Sequence, residues 1–164
     1  MNPEFEKRHN QALRLLSILS KQAEERHQLL VFLGGSAVQA ILKHPHRLSI
    51  DLDLSYAGDA GELLEILQPE YHVEPRPTRQ TNLFDFYKAT KQGVLVKIDI
   101  ARFPLAAEGE TPYEVKDMKT NEGTFKANVA KPSYLIAAKL VNTAVGATGR
   151  KEFDPLAFLK DVSD

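Results

Sequence analysis

The chain has 164 residues, enough for one domain with its own core. Its hydrophobic content of 43% and charged content of 26% are those of a globular protein. No apolar run is long enough to cross a bilayer, and the polar start MNPEFEKRHNQ has no secretory hydrophobic region, so the cytoplasm is the expected address and no membrane partner is expected. Cysteine is absent, which excludes disulfides and thiolate metal sites. A net charge of -1 does not single out a nucleic-acid binder. The C-terminal third is nevertheless basic: Lys116, Lys119, Lys126, Lys131, Lys139, Arg150 and Lys151 stand against only Asp117 and Glu122 between positions 116 and 151.

In chain order, Asn2 is placed to cap a first helix. Pro3 suits the first helical position, and Glu4 and Glu6 favour the positive end of the helix dipole. Ala12, Leu13, Leu16, Leu19 and Ala23 form its apolar stripe. Leu29 to Leu33 reads as a buried strand running into Gly34-Gly35-Ser36, and the following AVQAILK reads as a short helix. After a turn at His44-Pro45-His46-Arg47, positions 48 to 56 alternate strictly. Leu48, Ile50, Leu52 and Leu54 take one face and Ser49, Asp51, Asp53 and Ser55 the other. A surface helix over 58–68 precedes strands at 71–74, 83–90 and 94–102, the last two joined by a hairpin at Lys91-Gln92-Gly93. Further strands are expected near 113–118 and 124–129. Helices are expected from Pro132 to about Val145 and over 154–162. The pattern is one α/β (α+β) domain over 1–164, a mixed sheet flanked by helices, with C-terminal helices over about 132–163.

The chemistry concentrates in Gly34 to Ser55. Glycines at a strand-to-helix turn let backbone approach a ligand closely, and free N–H groups at a helix start attract phosphate. Ser36 adds a hydroxyl there. Asp51 and Asp53, two apart on a strand, project from one face. Like charges held close need a cation between them, and Mg²⁺ prefers hard oxygen ligands. Two incidental acids on a solvent-facing edge strand give the same spacing. Asp99 shifts the balance towards the metal. It lies in the strand VLVKIDI, and if that strand pairs beside Ile50–Leu54, all three carboxylates share a face. Three carboxylates can hold two metal ions for in-line phosphoryl transfer.

The run Gly34-Gly35-Ser36, His46-Arg47-Leu48-Ser49 and Asp51-Leu52-Asp53-Leu54 resembles the nucleotidyltransferases of the AbiEii/AbiGii and MenT toxin type, within the polymerase β-like nucleotidyltransferase superfamily. KPSYLIAAKL, positions 131 to 140, is similar to the family helix that carries a lysine into the site. The resemblance implies a polymerase β-like nucleotidyltransferase fold and transfer of a nucleotide from an NTP to an acceptor hydroxyl with Mg²⁺ or Mn²⁺. It further implies RNA as acceptor, tRNA in the MenT branch, and an antitoxin as partner. By position, Gly34, Gly35 and Ser36 would hold the triphosphate, Asp51, Asp53 and Asp99 the metals, and Lys139 the phosphates. Arg47 and Ser49 would brace the acid strand, with Arg47 also near a phosphate. The chain departs from the family pattern at Lys151, where relatives carry the first acid of an Asp-x-x-Asp element; Arg150 and Asp154 fit it.

Other readings remain open at this stage. The fold can serve as a nucleotide-binding module without turnover, or the acceptor can be a small molecule or a protein. Phe84 and Phe86 are read as core side chains. Asp85, alternating with them, is read as the neighbour of the acid cluster. His44 and His46 are read as polar turn residues rather than metal ligands, since no further His or Cys stands at ligand spacing.

Overall fold

The computed structural model describes residues 2–34, 51–77, 84–102, 109–136 and 140. Helix α1 spans Pro3–Glu25, and the Asn2 side chain caps it by accepting the Glu4 N–H at 3.0 Å. Its buried stripe is Ala12, Leu15, Leu16, Leu19 and Ala23. Leu15 therefore takes the place expected for Leu13, which is only half-buried. The strands are β1 (Leu30–Leu33), β2 (Leu52–Tyr56), β3 (His72–Pro75), β4 (Phe84–Lys91), β5 (Val94–Ala101), β6 (Tyr113–Thr120) and β7 (Gly123–Ala130). The surface helix after β2 is shorter than its apolar spacing predicts. Helix α2 covers Ala60–Leu64 behind the cap Asp59, and a 3-10 turn, Glu65–Leu67, completes it. Residues 132–136 are helical, as expected from Pro132. The expected helices after Gly35 and over 154–162, and the turn with His44 and His46, lie outside the described residues.

The strands form one mixed sheet in the order β3-β4-β5-β2-β1-β7-β6. Four antiparallel pairs join sequence neighbours, β1 with β2, β3 with β4, β4 with β5, and β6 with β7. The β4–β5 hairpin turns at Gln92 and Gly93, whose φ values of 49° and 76° suit a two-residue connection that follows the sheet's twist. Two parallel pairings close the centre, β2 with β5 and β1 with β7. Each joins strands distant in sequence, as parallel pairing requires.

Alternation then decides which side is core. Leu30, Phe32, Leu52, Leu54, Tyr56, Val96, Ile98, Ile100, Ala127 and Val129 join Leu15, Leu16 and Leu19 of α1 in one buried cluster with Leu63, Leu64 and Leu67. Each fully buried Leu or Ile contributes about 1.5–3 kcal/mol. A polar clamp ties α1 to the far ends of two hairpins. Arg14 reaches Glu70 at 2.6 Å, Glu122 at 2.9 Å and the Tyr71 hydroxyl at 2.8 Å, and Lys91 reaches Glu70 at 2.9 Å. With one face of β2 and β5 committed to α1, the alternate residues Asp53 and Asp99 are left on the opposite face.

Candidate active site

β1 runs antiparallel to β2, so the end of one strand meets the start of the other. Leu33 is the partner of Asp53, and Gly34 follows immediately. β2 then runs parallel to β5 with Asp53 opposite Asp99. Directly paired residues on neighbouring strands share a face, so the two carboxylates are brought together by register alone.

Gly34 makes the approach possible. Its φ is +73°, a conformation that side-chain-bearing residues rarely adopt. A Cβ at this position would stand 2.8 Å from both Cβ and Cγ of Asp53 and would collide with its Oδ2. The Asp53 side chain therefore lies over the Gly34 backbone, in space that only a glycine leaves open.

The electrostatics show what this arrangement costs. Burial pushes the Asp99 carboxyl above its usual range. Arg76 opposes that shift, Asp51 adds to it, and Lys97 and a hydrogen bond to the Asp53 side chain oppose it. Two carboxyl groups hydrogen-bond each other only by sharing a proton. In its absence the pair repels, and a cation between the oxygens relieves the repulsion.

Two arginines approach the acids. Arg76 follows β3, its backbone N–H donating to Phe86 O at 2.9 Å. Its guanidinium is ion-paired with Asp99 Oδ1 and lies over the Phe86 ring, 5.3 Å from the centroid. Arg8 of α1 donates from Nε to Leu95 O at 3.1 Å and places Nη2 3.6 Å from Asp51 Oδ1. Asp51 itself occupies a bend just before β2. Among the described residues no three acid or histidine side chains stand close enough to form a ready metal cluster. The structure thus joins Asp53 to Asp99 and holds Asp51 beside Arg8, within electrostatic reach of Asp99.

This donor set fits a hard divalent cation. It offers two carboxylates paired in register on one face, a third acid nearby and a glycine that leaves room for them. Gly35, Ser36, Arg47, Ser49 and Lys139 lie outside the described residues. The reading of β4 is corrected. Phe86 is paired with Asp99, so Phe84 and Phe86, with ring centroids 5.9 Å apart, share the acid face. Asp85 is paired with Ile100 on the other face, where it is ion-paired with Arg102 and accepts the Arg102 Nε–H at 2.7 Å. Tyr87, not Phe86, packs against the core. Both faces of β4 are apolar enough that alternation alone does not orient it.

Sequence reasoning missed Arg8 and Arg76. Arg8 carried a signal, since it stands four residues before Ala12 on the buried stripe of α1, where a charge requires a partner. Arg76 carried none, because its place beside Asp99 depends on the pairing of β3, β4 and β5.

No family model matches the chain, and no curated protein matches it significantly. Solved structures do. A protein from Thermotoga maritima assigned to the nucleotidyltransferases matches with a TM-score of 0.53 at 16% identity, over 84% of this chain and 88% of that one. The structure of ANT(2″)-Ia in complex with adenylyl-2″-tobramycin matches with a TM-score of 0.50 at 18% identity, over 94% of this chain and 90% of that one. The chain has a nucleotidyltransferase fold, with the mixed sheet expected of it.

Proposed function

We propose that this protein is a divalent-cation-dependent nucleotidyltransferase that moves a nucleotide from an NTP to an acceptor hydroxyl. The observation that carries the reading is the parallel register of Asp53 with Asp99 across β2 and β5, beside Gly34. The nucleotidyltransferase fold agrees with the reading.

In this reading Asp53 and Asp99 would hold Mg²⁺ or Mn²⁺, with Asp51 as a third donor. A bound ion neutralises phosphate charge and makes the acceptor hydroxyl more acidic. The roles of this chain's own groups are those that the motif run implies. Gly34 lets backbone approach the triphosphate, and Gly35 and Ser36 serve as phosphate donors. Lys139 supplies positive charge to the phosphates, and Arg47 and Ser49 brace the strand of acids, with Arg47 near a phosphate. The acceptor oxygen forms a bond to the α-phosphorus as the bond from that phosphorus to the β-phosphate bridging oxygen breaks. Pyrophosphate leaves, and the hydroxyl proton passes to Asp99.

The acceptor we propose is RNA, with tRNA first, and the role that of a toxin held by an antitoxin partner. Support comes from the Gly34-to-Asp53 motif run and from the basic residues of the C-terminal third. A second reading, a small polyhydroxylated acceptor, is favoured by the likeness to ANT(2″)-Ia, whose structure holds adenylyl-2″-tobramycin.

The test is transfer of label from each α-³²P NTP, with Mg²⁺, to total tRNA and separately to an aminoglycoside panel, wild type against Asp53→Ala. Label from the wild type alone identifies the reaction and its nucleotide, and the labelled pool identifies the acceptor class. Equal label with the variant refutes the site. No label on either pool, with the wild type binding NTP, favours the module without turnover.

A further inference from the structure

The acids of this site are already provided with counter-charges. Arg76 is ion-paired with Asp99, and Arg8 stands 3.6 Å from Asp51. Neither arginine belongs to the motif run that marks the acids, and each comes from an element outside it, Arg8 from α1 and Arg76 from the segment after β3.

The two are held differently. Arg8 is also anchored to the backbone of β5 through Leu95 O. The Arg76 guanidinium is more buried, 18% exposed at its side chain, and its Nε is buried without a hydrogen-bond partner among the described residues. Among the described residues, the guanidinium contacts the Phe86 ring besides Asp99. A cation over an aromatic face is attracted without a fixed direction, so a guanidinium can shift across the ring while keeping much of that attraction. What holds Arg76 at Asp99 is therefore mainly the charge of Asp99 itself.

We propose that Arg76 is an exchangeable counter-ion of the acid site, which neutralises Asp99 when no divalent cation is bound and yields that carboxylate when one arrives. Arg8 does the same for Asp51 with a firmer anchor. The inference rests on the cation site proposed above. The physical ground is that a carboxylate in ion-pair contact with a guanidinium has spent part of its negative potential. An entering dication meets a positive charge at contact distance and has to displace it. Arg76 thus lowers cation affinity while keeping the empty site from repelling itself, and acts as a positioning residue through Asp99.

The experiment is Mn²⁺ binding to the full chain, followed by the free-ion electron paramagnetic resonance signal, for wild type, Arg76→Met, Arg76→Lys and Asp53→Ala. Methionine keeps an apolar stem against Phe86 and removes the charge; lysine keeps the charge. The expected result is that Arg76→Met binds Mn²⁺ about three- to tenfold more tightly than wild type, a range set by the modest worth of a partly exposed ion pair. Arg76→Lys stays close to wild type, and Mn²⁺ raises the melting temperature of Arg76→Met by more than that of wild type. A merely structural arginine would lower the melting temperature without tightening the ion. Unchanged or weaker binding in Arg76→Met, with wild-type binding that Asp53→Ala abolishes, overturns this inference and leaves the cation site standing. Absence of Mn²⁺ binding in the wild type overturns both.

Discussion

Gly34→Ala puts the packing of the acid site under direct test. The added methyl would sit 2.8 Å from Cβ and Cγ of Asp53 and collide with Oδ2, at a backbone φ of +73°. A left-handed conformation costs a non-glycine residue about 1–2 kcal/mol. Forcing a methyl into occupied space costs about 1–3 kcal/mol more. Alanine recovers about 0.4–1 kcal/mol by restricting the unfolded chain. The net expectation is a loss of about 1–4.5 kcal/mol, a large part of the roughly 5–15 kcal/mol that holds a domain together. Urea unfolding followed by circular dichroism reads it as a lower midpoint at unchanged slope. A double-mutant cycle with Asp53→Ala separates the two causes. Removing the carboxyl deletes the Cγ and Oδ2 contacts, so Gly34→Ala should cost about 1 kcal/mol less or better in that background, the Cβ contact and the backbone strain remaining. Equal cost in both backgrounds would show that backbone conformation alone disfavours alanine, and would refute the claim that Asp53 occupies the space above Gly34. A Gly34→Ala variant as stable as wild type would refute both parts.

Asp99→Asn tests the cost of burying the Asp99 carboxyl. Burial raises the folded-state pKa of Asp99, so its contribution is fully present below the unfolded carboxylate pKa and is lost as pH rises through the folded value. Asparagine cannot ionise, so at neutral pH without divalent ions the variant should melt at or above wild type, and its pH dependence across the carboxylate range should flatten. Melting curves at a series of pH values in EDTA check this, and a variant that melts well below wild type at neutral pH refutes it. The polar clamp predicts the opposite sign. Arg14 and then Lys91 hold the Glu70 carboxyl down to about 2. Its contribution is therefore present above the unfolded carboxylate pKa and lost as pH falls through about 2. Glu70→Gln should lower the neutral melting temperature slightly, by an amount that shrinks in high salt and vanishes in strong acid; a salt-independent loss would mean that packing, not charge, is responsible.

Local features were legible because their causes are local. Asn2 and Pro3 start α1 through one side-chain hydrogen bond and one fixed dihedral. Gln92-Gly93 turns the hairpin because those two residues accept positive φ. The alternation of Leu52, Asp53, Leu54 and Ser55 needs only a strand with one buried face. The stripe on α1 was read one residue out at Leu13, because Leu13, Leu15 and Leu16 all fit a helical period and only the packed sheet chooses among them.

What the sequence determined by itself, then, was the first helix, the described strands and three acids on or beside them, since period, capping and turn chemistry act over a few residues. What the tertiary structure alone decided was how those strands meet. The parallel pairing of β2 with β5 joins Asp53 to Asp99 across 46 positions. The pairing of β4 with β5 turns Phe86 rather than Asp85 to the acid side, and the end of β3 delivers Arg76 to Asp99. Register and strand order emerge from burying every apolar face at once, and no short stretch of chain carries that information.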